Sequence, residues 1–240
     1  MADRFYSPDP IVKGCLTLTG NEARHLSRVR RVGVGERVEV FDGRGSAHRA
    51  EVREIERNRV ELVVLGDPLP DRSTRFKLTL ATAVPKGERF DWLVEKATEL
   101  GVARLVTILT ERSVSDPRVT RIDRLRRLII EASKQCGRNR LMTLETTTAW
   151  PTYINEELAE VRLFAHLEGG SAPARWPRLK TGQSVALAIG PEGGFSDEEA
   201  NAALAAGWQA IRLGPTILRV ETAALAGAAA LLLMPNDDHA

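Results

Sequence analysis

The segment Leu187-Ala-Ile-Gly-Pro-Glu-Gly-Gly-Phe-Ser-Asp-Glu-Glu199 leads from an apolar run through a glycine-rich turn into the start of a helix. Ser196, with Glu199 three residues later, has the spacing of a capping box, so a helix is predicted to begin after Ser196. A strand followed by exposed backbone N–H groups and a helix N-terminus is a common way to bind a small polar ligand. The alternative is a tight strand-to-helix turn without a ligand, and the segment alone leaves both open.

Two familiar nucleotide-binding motifs are missing at this turn. The P-loop needs Gly-Lys-Ser/Thr, and the turn contains no lysine. The dinucleotide motif needs three glycines spaced G-x-G-x-x-G, and Pro191 and Glu192 interrupt that spacing. A plain nucleotide-binding domain is therefore disfavoured.

The composition is that of a globular protein: of 240 residues, 43% are apolar and 28% are charged. The two cysteines, Cys15 and Cys136, are far apart, and the four histidines match no metal-ligand spacing. We therefore expect a reducing compartment, no disulfide and no metal. There is no apolar signal-peptide core at the N-terminus, and the longest apolar run, Ala223–Met234, is too short to cross a bilayer. A cytoplasmic protein that does not enter a membrane is expected.

Positive charge is concentrated in two segments, although the formal net charge is only +2. Residues 118–140 carry eight arginines and lysines against two acidic residues, and a second basic cluster covers residues 24–31. One basic helix is usually a solvated face. Two such clusters in a nearly neutral chain favour a polyanionic partner.

Residues 1–70 are predicted to form a small β-domain, because short strands at this spacing are typical of a compact barrel. The predicted strands are Cys15–Leu18, Arg37–Phe41, Ala47–Ile55 and Arg59–Leu65. Asn21 is expected to cap a short helix over Glu22–Val29. Asp67–Ser73, with two prolines and no apolar periodicity, is predicted to be a linker.

Strands and helices alternate over residues 74–240, which predicts an α/β domain with a parallel sheet covered by helices. The predicted strands are Phe76–Val84, Val102–Leu109, Val161–Ala165, Val185–Ile189 and Ala210–Leu213. The predicted helices are Gly87–Leu100, Thr120–Cys136, Asp197–Ala206 and Glu221–Met234. Ligands bind at the carboxyl ends of such strands, so the loops 166–169, 190–194 and 213–219 are expected to wall one pocket.

The loops Gly190–Gly194 and Leu213–Arg219, with Val220–Ala223 after them, resemble signatures of the SPOUT methyltransferases. More narrowly, the chain resembles the bacterial RsmE family, which methylates uracil N3 in 16S ribosomal RNA of the small ribosomal subunit. Three further segments agree: Glu95–Gly101, Glu131–Arg138, and Phe41–Gly43 after the basic Arg24–Arg31 segment. The resemblance covers essentially the whole chain in the same order.

This resemblance implies a PUA-like β-barrel that binds RNA over residues 1–70, and a SPOUT domain over 74–240 with a deep trefoil knot at about 160–235. Because true knots are rare, residue patterns alone would not predict that topology. The resemblance also implies S-adenosyl-L-methionine as cofactor and a homodimer with the site at its interface. The residues implied to bind the cofactor, largely through backbone groups, are Leu167, Glu168, Gly169, Ile189, Gly190, Pro191, Glu192, Gly194, Leu213, Gly214, Ile217 and Leu218.

The chain departs from the family pattern at two positions. The family has Arg where this chain has Thr216, and Thr where it has Val220, whereas Arg219, Glu221 and Thr222 match. If that Arg contacts RNA or a partner subunit, the contact must come from elsewhere in this chain.

Methylation of uracil N3 requires an in-line approach, loss of the imide proton and stabilisation of negative charge on the ring carbonyl oxygens. We hypothesise that Arg219 supplies the stabilising cation and that Glu221 acts as a base or orients Arg219. The alternative is an ion pair between the two that only fixes the start of a helix. The hypothesised phosphate contacts to RNA are Arg24, Arg28, Arg30, Arg31, Arg124, Arg127 and Arg138.

Two other functions stay open. One is ribose 2′-O methylation by another SPOUT RNA methyltransferase, although the Asn- and Arg-containing motif associated with that branch is absent before the knot. The other is a non-catalytic rRNA-binding assembly factor with a vestigial pocket. Binding of S-adenosylmethionine distinguishes an enzyme from such a factor.

Overall fold

The computed structural model describes residues 3–85, 87, 89–113, 122–167, 170–171 and 176–233. The chain divides into two compact units, each with its own hydrophobic core. The first unit contains Met1–Ser73 and Ile130–Leu141, and the second contains Thr74–Ile129 and Met142–Ala240. The first unit is therefore built from two separate pieces of sequence.

A five-stranded sheet forms the first unit within the described residues, in the order β1-β3-β4-β5-β2. The strands are β1 (Arg4–Tyr6), β2 (Cys15–Thr19), β3 (Arg37–Phe41), β4 (Ala47–Ile55) and β5 (Arg59–Leu65). β1 pairs with β3 in parallel, and the other neighbours are antiparallel. The four predicted strands are confirmed, and only β2 differs in its bounds, ending one residue later, at Thr19. Alternation along them places Val38, Val40, Val60 and Leu62 in the core.

The helical segment of the first unit begins earlier than predicted. Helix α1 (Gly20–Arg24) continues directly into a π-helix at His25–Val29. The prediction of Asn21 as cap is wrong, since the helix starts after Thr19 without a side-chain cap. The Asn21 side chain instead accepts a hydrogen bond of 2.6 Å from Arg24. Gly20 has a φ of 60°, a conformation that glycine adopts at little cost and that lets β2 turn directly into the helix.

The second unit contains a parallel sheet, as predicted. Over the residues that are described, its strand order is β12-β10-β11-β6-β7-β8, and β9 pairs with β7. The strands are β6 (Lys77–Thr82), β7 (Arg104–Leu109), β8 (Thr143–Leu144), β9 (Thr148–Ala149), β10 (Val161–Ala165), β11 (Ser184–Ile189) and β12 (Gln209–Ile211). All of these pairings are parallel. Val185–Ile189 are buried throughout, which accounts for the continuous apolar run in β11.

The remaining helices are α2 (Arg89–Leu100), α3 (Ile122–Cys136), α4 (Trp150–Glu156), α5 (Asp197–Ala205) and α6 (Val220–Leu233). The capping box predicted for α5 is confirmed: Ser196 Oγ accepts from Glu199 N, and Glu199 Oε2 accepts from Ser196 N. α6 packs on α2 and on the central strands β11 and β6. In the described part of the chain, every helix is too short or too polar to cross a membrane.

Candidate active site

A cavity of about 370 Å³ lies at the carboxyl ends of three neighbouring strands of the second unit. Its walls include Ala165–Leu167 at the end of β10, Ile189–Phe195 at the end of β11, and Arg212–Gly214 and Thr216–Leu218 after β12. The predicted convergence of the three loops is thus observed. The volume lies in the range of sites that hold small organic ligands.

The glycine-rich loop after β11 is shaped by its glycines. A Cβ atom on Gly190 would lie 3.1 Å from a ring carbon of Phe195, so the loop can fold tightly over that ring only with glycine here. Gly194 has a φ of 69°, and its N–H donates to Pro191 O at 2.8 Å, which closes the turn. These constraints leave several backbone groups of the loop facing the cavity.

Phe195 anchors this loop to the core of the second unit. Its ring is buried, and its centroid lies 4.4 Å from that of Trp150 and 5.8 Å from that of Phe164. Such aromatic contacts add stability beyond simple burial. The glycines of this loop permit many backbone conformations, but Phe195 fixes the carboxyl-terminal end of the loop to the core.

Helix α6 packs closely against β11, and its first turn lies at the cavity. A Cβ atom on Gly227 would lie 2.7 Å from Leu187 Cδ2 and 3.3 Å from Leu213 Cδ2. Glycine at this position lets the helix lie close against both side chains. Val220 and Ala223, in the first turn of α6, consequently contribute to the cavity wall.

Most of the residues predicted to bind the cofactor line this cavity. They are Leu167, Ile189, Gly190, Pro191, Glu192, Gly194, Leu213, Gly214, Ile217 and Leu218. Glu168 and Gly169, which belong to the same prediction, lie outside the described residues. The cavity also includes both positions that depart from the family pattern, Thr216 and Val220.

Sequence reasoning missed three charged residues of the cavity wall, Arg112, Asp197 and Arg212. His166, in the predicted loop 166–169, lines the cavity as well. Arg112 follows the carboxyl end of β7, so the rule that ligands bind at strand ends offered a signal for it. Its contact with the glycine loop, at Gly193, is 81 positions away in sequence and could not be inferred from local pattern.

The two predicted catalytic residues lie at the start of α6 in different environments. Arg219 is exposed, and its backbone carbonyl accepts from Ala223 N at 2.8 Å. Glu221 is buried, and its Oε1 lies 3.6 Å from Arg89 Nε. Among the described residues, the ion partner of Glu221 is thus Arg89 and not Arg219. Glu221 Oε2 is buried and has no hydrogen-bond partner among the described residues, which is uncommon enough in proteins to require an explanation.

The basic residues predicted to contact RNA differ in how free their charges are. Arg24, Arg28, Arg31 and Arg127 are exposed. Arg30 donates to Asp3 Oδ1 through Nε at 2.7 Å, and Arg124 pairs with Asp91. Burial lowers the pKa of Arg138 from its ordinary value. The set is therefore not uniform, and exposed arginines without an acidic partner are the stronger candidates for phosphate contacts.

Comparison with known proteins identifies both parts of the chain. A family model described as an RNA methyltransferase domain matches residues 72–232, and one described as an RNA methyltransferase PUA domain matches residues 18–65. The chain is 31% identical over 230 residues to the ribosomal RNA small subunit methyltransferase E of Synechocystis, which covers 90% of this chain and 72% of that protein. It is 32% identical to the protein of the same name from Mycobacterium bovis, over 85% of this chain and 81% of that protein.

A solved structure gives the same result. The ribosomal RNA small subunit methyltransferase E of Neisseria gonorrhoeae, bound to S-adenosyl methionine, superimposes with a TM-score of 0.88 at 31% identity. The match covers 96% of this chain and 97% of that one. Fold, domain matches and sequence identity agree along nearly the whole length. The chain therefore belongs to the ribosomal RNA small subunit methyltransferase E family.

Proposed function

We propose that this protein transfers a methyl group from S-adenosylmethionine to N3 of a specific uridine in 16S ribosomal RNA of the small subunit. The observation that carries the proposal is the cavity at the ends of β10, β11 and β12, walled by three loops in a chain of this family. The relatives from Synechocystis and Mycobacterium bovis are named for methylation of small-subunit ribosomal RNA. The related structure from Neisseria gonorrhoeae holds S-adenosyl methionine.

The residues of the cavity fit this cofactor. Leu167, Leu213 and Leu218 supply apolar surface suited to an adenine ring, and the glycine loop supplies backbone donors and acceptors. The loop contains no lysine, which a phosphate-bearing nucleotide would favour but an adenosine with a sulfonium does not need. When bound, S-adenosylmethionine supplies a methyl group on a positively charged sulfur.

The chain's own residues must position the uracil and handle a proton and a negative charge. As the bond between N3 and the methyl carbon forms, the carbon–sulfur bond breaks and the N3 proton leaves. We assign stabilisation of the charge on the uracil oxygens to Arg219, because it is exposed at the start of α6 beside residues of the cavity wall. Glu221 is the weaker candidate for the base. Its buried Oε2, which no described residue hydrogen-bonds, supports a role beyond its contact with Arg89.

The exposed arginines of the first unit support RNA as the partner. Arg28 lies within the π-helix His25–Val29 and Arg31 follows it closely; such a local irregularity is frequent at functional sites. Arg31 itself has a φ of 56°, in the left-handed region that non-glycine residues rarely adopt. Binding through such residues is expected to weaken steeply with salt.

The finer architecture is part of this proposal. We assign residues 1–70 to a PUA-like β-barrel and 74–240 to a SPOUT domain with a trefoil knot at about 160–235. Two facts support the knot: β12 lies at one edge of the sheet, and the next helix, α6, packs on the central strands β11 and β6. The chain must return across β10 to make that connection.

We also propose a cytoplasmic homodimer that needs no metal. Leu167 and Ile217 leave 52% and 76% of their surfaces exposed at the cavity, which supports coverage by a second subunit.

Within the described residues, the cluster with metal-ligand geometry is Glu22, His25 and Glu131. The buried ammonium of Lys134 contacts these three side chains at 2.9–3.1 Å, so a cation of the protein already occupies the centre of that cluster.

The test is methylation of small ribosomal subunits and of free 16S rRNA with S-adenosylmethionine carrying a labelled methyl group. The RNA is then digested to nucleosides, and the product is identified by mass spectrometry. We expect 3-methyluridine to carry the label, at no more than one labelled methyl group per 16S rRNA molecule. A labelled 2′-O-methylnucleoside would instead identify the ribose methyltransferase alternative. RNA binding without any cofactor binding in calorimetry would identify an assembly factor.

The catalytic assignments need their own variants. Arg219→Ala is expected to lower turnover by about two orders of magnitude, in the range found when a charge-stabilising group is removed. Arg178→Ala, which removes an exposed arginine elsewhere in the same unit, is the matched control. Turnover of Arg219→Ala close to that of the control would refute the role of Arg219.

A further inference from the structure

The carboxylate of Glu199 makes one contact more than its capping role requires. Through Oε2 it accepts from Ser196 N at 2.9 Å, which is its part in the capping box of α5. Through Oε1 it accepts from Glu111 N at 2.8 Å, in the segment that follows β7. Glu199 is 9% exposed, so this bond is shielded from competing water. One side chain thus joins the start of α5 to the end of a strand far away in sequence.

The next residue of that segment, Arg112, contacts the glycine loop itself. Its Nη1 donates to Gly193 O at 2.8 Å. The side chain also lies flat against the loop, since a Cβ on Gly193 would be 3.3 Å from Arg112 Cδ. Arg112 therefore touches the loop at a position where a larger residue would push against its side chain.

The Arg112 contact holds the glycine loop at a position that the core does not reach, and Glu199 binds the segment that carries Arg112. Phe195 fixes the loop at its carboxyl-terminal end, and the turn from Pro191 to Gly194 is closed by an internal hydrogen bond. Gly193 lies inside that turn, and glycine has the largest conformational freedom to lose on ordering. A hydrogen bond from a charged donor is strong enough to restrict this freedom.

We propose that Arg112 and Glu199 act together as positioning residues, which fix the loop Gly190–Gly194 in the shape that binds the cofactor. They act through the loop backbone and not through the reacting atoms. This inference rests on the proposed function, because it assigns the loop to S-adenosylmethionine. If the loop samples other shapes, the apparent dissociation constant for the cofactor rises by the inverse of the competent fraction.

The first experiment follows amide hydrogen exchange of the full-length protein without any ligand. In Arg112→Ala and in Glu199→Gln, the backbone amides of residues 192–195 are expected to exchange faster than in the wild type, by about tenfold. Glu199→Gln keeps a single acceptor oxygen, so it cannot serve Ser196 N and Glu111 N as the carboxylate does. Glu198→Gln removes the same charge from an exposed position in the same helical turn and is the matched control. Unchanged exchange of the loop amides in both variants would overturn the proposal.

The second experiment measures the dissociation constant for S-adenosylmethionine and that for 16S rRNA in the same variants. Arg112→Ala is expected to weaken cofactor binding about tenfold, in line with the loss of a charged hydrogen bond, and to leave the affinity for RNA unchanged. Arg112→Lys, which keeps a donor for Gly193 O, is expected to restore most of the cofactor affinity. Equal losses for RNA and cofactor, or no rescue by lysine, would show a general structural role and overturn the positioning role.

The two experiments separate this inference from the proposed function. Failure of the wild type to bind S-adenosylmethionine would reject the proposed function and, with it, the role in cofactor binding. Hydrogen exchange still decides in that case whether Arg112 and Glu199 order the loop. Cofactor binding by the wild type with equal affinity in Arg112→Ala would reject the positioning role alone.

Discussion

Arg89 Nε lies 3.6 Å from Glu221 Oε1, and this contact connects the first turns of α2 and α6. The Glu221 side chain is only 9% exposed, whereas that of Arg89 is 44% exposed. Removing the arginine leaves a buried carboxylate without its ion partner, which is costly in a low-dielectric environment. We expect Arg89→Ala to lower the free energy of unfolding by about 1–2 kcal/mol, less than for a fully buried pair because water reaches the arginine.

Urea denaturation of the single and double variants measures this effect. Glu221→Gln removes the charge while keeping the shape, so adding Arg89→Ala to Glu221→Gln is expected to cost much less than Arg89→Ala alone. Additive costs would show that the contact contributes no coupling energy.

Arg31 combines an unfavourable backbone conformation with an exposed charge, so its two effects can be separated. Its φ of 56° is tolerated by glycine at no steric cost. We expect Arg31→Gly to raise the free energy of unfolding by about 0.5–1 kcal/mol. The same variant should lose one phosphate contact, which lowers the slope of log affinity for RNA against log salt by about 1.

The comparison variant is Arg28→Ala, which removes an exposed arginine of the same segment without changing a left-handed position. It should reduce the salt slope similarly and give no gain in stability. A salt slope unaffected by both variants would remove this segment from the RNA-binding surface.

Replacing Gly227 by a larger residue is expected to destabilise the protein, because α6 lies very close to β11 at this position. A Cβ there would lie 2.7 Å from Leu187 Cδ2, and Leu187 is fully buried. Gly227→Ala gains helix propensity of about 1 kcal/mol, but overpacking of this kind costs about 1–3 kcal/mol, so we expect net destabilisation. Combined with Leu187→Ala, which removes the clashing methyl groups, the substitution should instead add stability. Thermal denaturation of the four proteins gives the coupling energy directly, and simple additivity would contradict the close approach.

Tyr153 is expected to stay neutral well into the alkaline range, and the pKa of Tyr6 is expected to lie above its ordinary value. Burial raises the pKa of both above the ordinary value of 10.0, and for Tyr153 the neighbouring Glu157 carboxylate raises it further. Above pH 10 the unfolded chain loses the phenolic protons that the folded protein retains, so the unfolded state binds fewer protons. Stability from this source is full below pH 10 and declines as the pH rises above it.

Near-ultraviolet absorbance of tyrosinate checks this prediction during alkaline titration. We expect little tyrosinate signal from Tyr153 until the protein unfolds, and a signal from Tyr6 at a higher pH than a free tyrosine gives. Tyr153→Phe isolates the titration of Tyr6. It also removes the hydrogen bond of 2.9 Å to Glu157, at an expected cost of about 1 kcal/mol. Normal titration of both tyrosines in the folded protein would contradict the burial described for them.

Periodicity predicted the parallel sheet because its main strands are buried on both faces and appear as continuous apolar runs, as in β11. The short elements were not predicted, because they contain too few residues to show a pattern. β1, β8 and β9 have two or three residues each, too few to show any alternation. Helix α4 has seven residues and a proline in its first turn, and its apolar residues Trp150, Tyr153 and Ile154 span barely one turn.

The site was predictable to the extent that strand ends determine it. The convergence of the three loops follows from parallel strands, but the partners of individual charges depend on packing between distant segments. Glu221 illustrates this: its sequence neighbour Arg219 is two positions away, and residues so spaced on a helix do not face each other. The Glu221 side chain contacts Arg89 at the start of α2 instead, and no local sequence pattern links these two positions.

The division of the first unit into two pieces of sequence has a consequence for its synthesis. Arg4, in its N-terminal strand, donates at 3.0 Å to the carbonyls of Ser133 and Arg138, which lie in the second piece. A nascent chain that has emerged only as far as Ser73 therefore lacks the two backbone carbonyls that accept from this guanidinium. Translation must pass Leu141 before the first unit can close, so its N-terminal piece stays incomplete while Thr74–Ile129 of the second unit is synthesised.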